Sequence, residues 1–264
     1  MAIELFGFSI GKTGKESAKP VDSSPPSTTE GSGASFVAPD DYDGTINIEA
    51  GGVFGTYVDF DAKIQNENEL IQKYRSMSLF PEVDMAITDI VNDAIVIDEE
   101  KEPVSILLDD VDLSDNIKNK IQDEFKTIVS LLNFNNRGYD LFRRWYIDSK
   151  LYYHIIVDDK NPKGGIKELR PIDPTKISKV RKVEKDQVKK GTLTFPVIKN
   201  VEEFFIYKET DKNSLTPTPQ AGLQISPDSI IYVHSGQIET GSKRVIGYLQ
   251  KAIRPLNMLR QIED

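Results

Sequence analysis

Residues 140–157 read DLFRRWYIDSKLYYHIIV, and the fold turns on how this run is divided. In its first half Phe142 and Tyr146 stand four apart, and Leu141, Trp145 and Ser149 form a second row beside them on a helix. Its second half, LYYHIIV, alternates in the manner of a half-buried strand. The run holds the single tryptophan of the chain and one of its two histidines. No nucleophile–base pair and no glycine-rich phosphate cradle accompanies them. The pattern predicts a helix anchored to a sheet through Phe142, Trp145, Tyr146 and Tyr153, not a reaction centre.

Upstream of this run the periodicity is helical. Helices are expected over about 67–79, then from Pro81 with Val83, Ile87, Ile90, Val91 and Ala94 on one face, a start suited to proline. A third follows Ser114, a good cap, with Ile117, Ile121, Phe125, Ile128 and Leu132 at helical spacing. Between the last two lies VSILL (104–108), read as a short apolar strand. Arg137-Gly138 is read as a break, with a fourth helix over 139–149. Downstream the period changes to two, and LYYHIIV, IKELRPI, TKISKVRKV, EEFFIYK and SIIYVHS are expected strands. A basic hairpin is expected over 185–194, a proline-rich loop over 210–227, and a last helical segment from about Ile246 to Asp264, crossing Pro255. This is an α+β layout, a helical layer packed on an antiparallel or mixed sheet.

The ends read differently. Residues 11–35 are rich in Ser, Thr, Gly, Pro and Lys, so 1–35 is expected to be a disordered tether. Residues 36–62 carry TINIEA and GVFGTYVDF, short runs expected to form a strand arm. The body is placed at 63–250 and the start of a long helix at 251–264. Leu249, Ile253, Leu256, Leu259 and Ile262 keep helical spacing to the last residues without a stop signal, so a longer protein is expected.

Composition narrows the chemistry. The chain has 264 residues, no cysteine and two histidines, so thiolate chemistry is excluded and a histidine-rich metal centre is not expected. No cofactor is expected. No apolar run approaches a membrane span, and the start MAIELFGFSIGK lacks the pattern of a secretion signal. The net charge of −9 is unevenly spread. Residues 82–124 hold fourteen Asp and Glu against three Lys and Arg, whereas 160–200 hold twelve Lys and Arg against four acids. Such faces bear on assembly or polyanion contact more than on fold.

Three motifs invite chemistry and fail on spacing or context. FSIGKT resembles a phosphate loop, but the glycine due five positions before Gly11 is Phe6, and no strand is expected to lead in. DDVDLSDN (109–116) lacks the glycine and glutamate of a calcium loop and reads as an acidic lead-in to a helix. His154 and His234 each sit inside an alternating strand run, where a half-buried histidine with a satisfied hydrogen bond is the ordinary outcome.

The segments RRWYIDSKLYYHIIVD, NPKGGIKELRPIDPTKISKVRKV, EEFFIY, YVHSG and VIGYLQKAIRPLNMLRQIED, with PEVDMAITDIVNDAIV and DEFKTIVSLLNFNNRGYDLFRRWY before them, resemble portal vertex proteins of T-even-type tailed phages. The likeness runs in order from about residue 70 to the end. It implies a wing-like body, with 255–264 beginning the first stem helix. It also implies a non-enzymatic virion protein, made in the host bacterial cytoplasm. The implied assembly is a dodecameric ring of itself that nucleates head assembly, docks the terminase large subunit and conducts double-stranded DNA in packaging and ejection. Further implied partners are the major capsid protein, neck proteins, and a scaffold or membrane initiator. The charge pattern then makes Lys179, Arg181 and Lys182 candidates for subunit or capsid contacts, and Lys251 and Arg254 candidates for approaching DNA. The rival reading is a nucleic-acid-binding module built on the basic strands of 160–190, which calls for salt-sensitive DNA binding.

Overall fold

A computed structural model describes residues 3–5, 8–10, 42–50, 56–96, 103–158, 160–161, 164–190, 193–209 and 222–263. In chain order the elements are β1 (Ile3–Leu5), β2 (Phe8–Ile10), β3 (Ile46–Ala50), α1 (Thr56–Met77), α2 (Pro81–Ala94), α3 (Asp115–Leu131), α4 (Phe134–Asp148), β4 (Lys150–Val157), β5 (Ile166–Ile172), β6 (Ile177–Lys190), β7 (Leu193–Tyr207), β8 (Leu223–Ile225), β9 (Ile230–His234) and α5 (Ile253–Glu263). Residues 1–33 and 34–264 are separate units. In the first, β1 and β2 pair antiparallel, so strands do precede Gly11 where none is expected; the tether expected over 11–35 lies outside the described residues. Everything below concerns the second unit.

Its strands form two sheets, β3-β6-β7-β8 and β5-β4-β9. The first is mixed, because β3 runs parallel to β6 while β6, β7 and β8 are antiparallel. The second is wholly antiparallel, and Pro171 sits in its edge strand β5, where a missing N–H is tolerated. The two-residue period sorts each strand's side chains onto opposite faces. One face of the mixed sheet buries Ile46 and Val180, with Ile48, Phe204 and Ile206, against Ile64 of α1. Its other face meets the second sheet through Ile177 and Phe205 against Tyr152, Ile230 and Tyr232. The far face of the second sheet, with Tyr153 and Leu169, packs on Leu141 and Phe134 of α4 and on Leu131 of α3. This is an α+β architecture with sheet on sheet at its centre and helices outside.

Several boundaries move from their expected places, each for a packing reason. α1 begins at Thr56, not near 67, so TYVDF joins the helix that carries Ile64, Ile71 and Tyr74 into the core. No strand forms at 104–108; Leu108 is buried, Leu107 is 81% exposed, and no described strand pairs with the run. Gly138 does not end a helix. It lies inside α4, where an added Cβ would stand 2.9 Å from the Phe134 ring, and the chain turns instead at Asn133 in the left-handed conformation (φ 49°). Pro81 opens α2 as expected, with Ile87 and Val91 buried but Ile90 and Ala94 outward. Ser114 precedes α3 and caps it with its backbone carbonyl, which accepts from the Ile117 and Lys118 N–H groups, without a side-chain bond. The basic hairpin of 185–194 continues the long β6–β7 ribbon. The last segment divides into a 3₁₀ turn, Tyr248–Ala252, and α5; Pro255 in the first turn of α5 cannot donate the bond that would carry an α-helix back across it.

At the α4–β4 junction three consecutive polar residues, Asp148, Ser149 and Lys150, are buried. Lys150 Nζ is 2.8 Å from Glu67 Oε2 of α1, with side chains only 5% and 12% exposed. Removing one partner of such a pair strands the other charge. Lys150→Met is therefore expected to cost about 3–5 kcal/mol, and Lys150→Met combined with Glu67→Leu much less. Urea midpoints of the parent and the two variants check this.

Candidate functional site

The aromatic run builds a joint between α4, α1, α2 and the turn before α5. Tyr146 stacks on Tyr248 with centroids 5.1 Å apart and planes 3° apart. Trp145 lies 5.6 Å from the same Tyr248 and 5.4 Å from Phe142. Its indole N–H meets no acceptor among the described residues, so the ring serves as an apolar body. Phe142 and Tyr146 also pack on the cluster of Tyr74, Ile87, Val91, Ile147 and Leu249. The fully buried Tyr74 closes this joint: its hydroxyl donates to Gln250 Oε1 (2.8 Å) and accepts from the Gly247 N–H (3.1 Å). Phe142, Trp145 and Tyr146 thus come together, whereas Tyr153 sits on the other side of α4 with Leu141 and Leu169. Tyr74 and Tyr248 were missed; the tyrosine of IGYLQ falls in the expected last helix, and only its distant partners reveal it.

Beneath α4 the charges are paired. Arg75 of α1 forks onto Asp148, with Nε and one terminal nitrogen donating at 2.8 and 2.7 Å, and reaches Asp173 at 3.1 Å. These bonds, despite the desolvation that opposes them, raise the Arg75 guanidinium further above its ordinary value. Ser149 takes the left-handed conformation (φ 65°) that ends α4, its N–H bonding Trp145 O, while its own carbonyl accepts from Ser235 N–H at 2.9 Å.

The two histidines do not converge. His154 lies opposite Ile230 and His234 opposite Lys150, so they occupy different rungs of the sheet. His234 Nδ1 accepts from the Gly236 N–H at 3.1 Å, and burial lowers its pKa despite the pull of Asp43. Among the described residues no group of acids and histidines stands ready for a metal.

The contact candidates are engaged within the chain. Lys179 pairs with Asp43 and with Glu203 (3.3 Å), and the buried Arg181 meets Glu203 at 2.6 Å. Lys182 bonds Glu184 at 2.8 Å and keeps a side chain 38% exposed. The antiparallel register sets Arg181 opposite Glu203 and Lys182 opposite Glu202, so cross-strand pairing offsets part of the basic character of this strand. Lys251 and Arg254 are exposed on the 3₁₀ turn and the first turn of α5.

A groove of about 460 Å³ opens between α4 and β4–β5. Leu141, Leu151, Tyr153, Pro171 and Pro174 make its apolar part, the Arg75–Asp148–Asp173 network closes one end, and Arg144 stands on its rim. It contains neither histidine.

Comparison with known proteins completes the picture. The family described as Bacteriophage T4-like portal protein (Gp20) matches residues 67–264. A portal protein of Vibrio phage KVP40 is 38% identical over 244 residues, covering 87% of this chain and 46% of that protein. A portal protein of Salmonella phage ViI is 34% identical over 240 residues, covering 88% of this chain and 43% of its own. The chain spans less than half the length of these curated relatives.

The charge network carries a pH signature. Burial pushes the Asp173 carboxyl up, but bonds from Arg75 and Thr175 outweigh it and leave the group below its ordinary value. A depressed carboxyl adds stability above its unfolded pKa and loses it as pH falls through the folded one, hence below about pH 4. Asp173→Asn should be less stable than the parent at pH 7 and should lose less stability across that acid range, read by urea titration at each pH.

Proposed function

The chain belongs to the Bacteriophage T4-like portal protein family, and on that premise we propose that it is a subunit of a portal ring at one vertex of a phage head. The observation that carries this reading is the family match over residues 67–264, joined by 38% and 34% identity to two phage portal proteins along most of the chain. In this reading the ring is a dodecamer that nucleates head assembly, docks the terminase large subunit and conducts double-stranded DNA into and out of the capsid. The major capsid protein and neck proteins are its other contacts, and a scaffold or membrane initiator is a further one. The protein is made in the host cytoplasm and resides in the virion.

The role is mechanical and not catalytic. Residues 63–250 act as the wing-like body, with residues 251–264 opening the stem. A conduit for a sliding polyanion needs sparse cations, because each phosphate neutralised adds to affinity. Lys251 and Arg254, exposed at the start of α5, are placed to meet DNA in this role. Of the contact candidates, Lys182, although paired with Glu184, is the most exposed toward a neighbouring subunit or the capsid, whereas Lys179 and Arg181 are held inside by Asp43 and Glu203.

Electron microscopy of the product of the complete reading frame that encodes this chain tests the proposal. Rings with a central hole are expected. A product that stays monomeric, or assembles without a hole, overturns it.

A further inference from the structure

We propose that the groove between α4 and the β4–β5 strands receives the outward face of α2 from a second copy of this chain. The inference rests on the ring reading above and names the two surfaces that meet. The groove's floor is apolar, from Leu141, Leu151, Tyr153 and Pro171. Its charge is unspent at the rim only. Arg75 is already satisfied by Asp148 and Asp173, whereas the exposed Arg144 has no carboxylate partner among the described residues. Arg137, two turns earlier, shares a helical face with Leu141 and Arg144 and is likewise exposed without an acid. Burial raises the pKa of Tyr153 while Arg137 and Arg144 oppose that shift, which puts both guanidinium groups within electrostatic reach of the floor. An apolar trough with a positive rim is complementary to an acidic amphipathic helix.

The chain displays such a helix. On α2 the residues Glu82, Met85, Asp89 and Asp93 share the face opposite the buried Ile87 and Val91, by their three- and four-residue spacing. Met85 is 67% and the flanking Ile90 40% exposed. Among the described residues Glu82, Asp89 and Asp93 pair with no cation; Asp84, on the side that faces α4, is taken by Arg143.

Placement makes these two surfaces partners between copies and not within one. Phe142, Arg143 and Tyr146 of α4 face α2, and helical spacing puts Arg137, Leu141 and Arg144 on the opposite side. The outward face of α2 points away from α4 altogether. One copy therefore offers an acidic ridge on one side and a cationic trough on the other, which cannot meet intramolecularly. Two different complementary patches give a heterologous, head-to-tail contact, the kind that closes into a ring.

The experiment is sedimentation of the 264-residue chain at low salt, with circular dichroism confirming that every variant is folded. The parent is expected to self-associate. Arg137→Glu with Arg144→Glu should weaken association about tenfold or more, and Asp89→Arg with Asp93→Arg should do the same. All four substitutions in one chain restore opposite signs across the contact and should recover most of the loss. A parent that stays monomeric at millimolar concentration, reversals that associate like the parent, or a fourfold variant as weak as either pair overturns the contact. Rings from the complete reading frame that survive both reversals sink this contact and leave the ring reading standing; a parent frame that makes no rings sinks that reading instead.

Discussion

Three polar side chains in a row, Asp148, Ser149 and Lys150, are buried where α4 becomes β4, and much of this unit is arranged to satisfy them. An unpartnered charge in that position would cost several kcal/mol. Two of the three therefore reach back to α1, and the backbone of the third ties in the end of β9. Asp148 takes the fork of Arg75 near the end of α1 and, through it, the turn at Asp173. Lys150 takes Glu67, two turns further back on the same helix. Ser149 accepts from Ser235 beyond β9 with its carbonyl. One junction thus sets the axial position of α1, the course of the chain after β5 and the exit from β9.

The aromatic contacts finish what the junction begins. Tyr152, two residues past Lys150, stacks on its cross-strand neighbour Tyr232 at 4.8 Å and meets Phe205 edge-on, which ties one sheet to the other. On the helical side Tyr146 and Trp145 converge on Tyr248. Near the other edge Gly44 takes a positive φ of 68°, and a Cβ there would come within 2.6 Å of Val245. The approach of these two backbone segments thus depends on a residue without a side chain. Polar pairs set direction and apolar rings supply area.

The sequence made the division of residues 140–157 into helix and strand legible, because a 3.6 period and a 2.0 period meet there within a few residues. It did not make the junction legible. The triplet DSK reads locally as a solvated turn, and its partners lie 73 and 83 positions away for Asp148 and Lys150. Gly138 reads locally as a breaker, and only the Phe134 ring, four residues away on α4, shows why a small residue stands inside the helix. TYVDF looked like a strand because β-branched and aromatic residues favour one; the burial of Ile64, Ile71 and Tyr74 further along decides for helix. The basic run 179–182 suffered the opposite fault. Along the chain it is basic, but strand register places Glu202 and Glu203 directly opposite, and register is a tertiary property.

These features bear on what the proposed ring asks of its subunit. A buried ion pair adds little net stability over apolar packing of the same volume, since desolvation offsets most of its attraction. Its geometry, however, is unforgiving. If α1 slid by one turn past β4, Arg75 and Glu67 would leave Asp148 and Lys150 without partners, whereas a purely aliphatic seam would repack at modest cost. The angles between α1, α4 and the second sheet are accordingly all-or-none. In a closed ring a small error in the angle between a subunit's two contact surfaces accumulates at every step around the axis. In the proposed ring, directional bonds that fix α4, which separates the groove from α2, would keep that angle constant from one copy to the next.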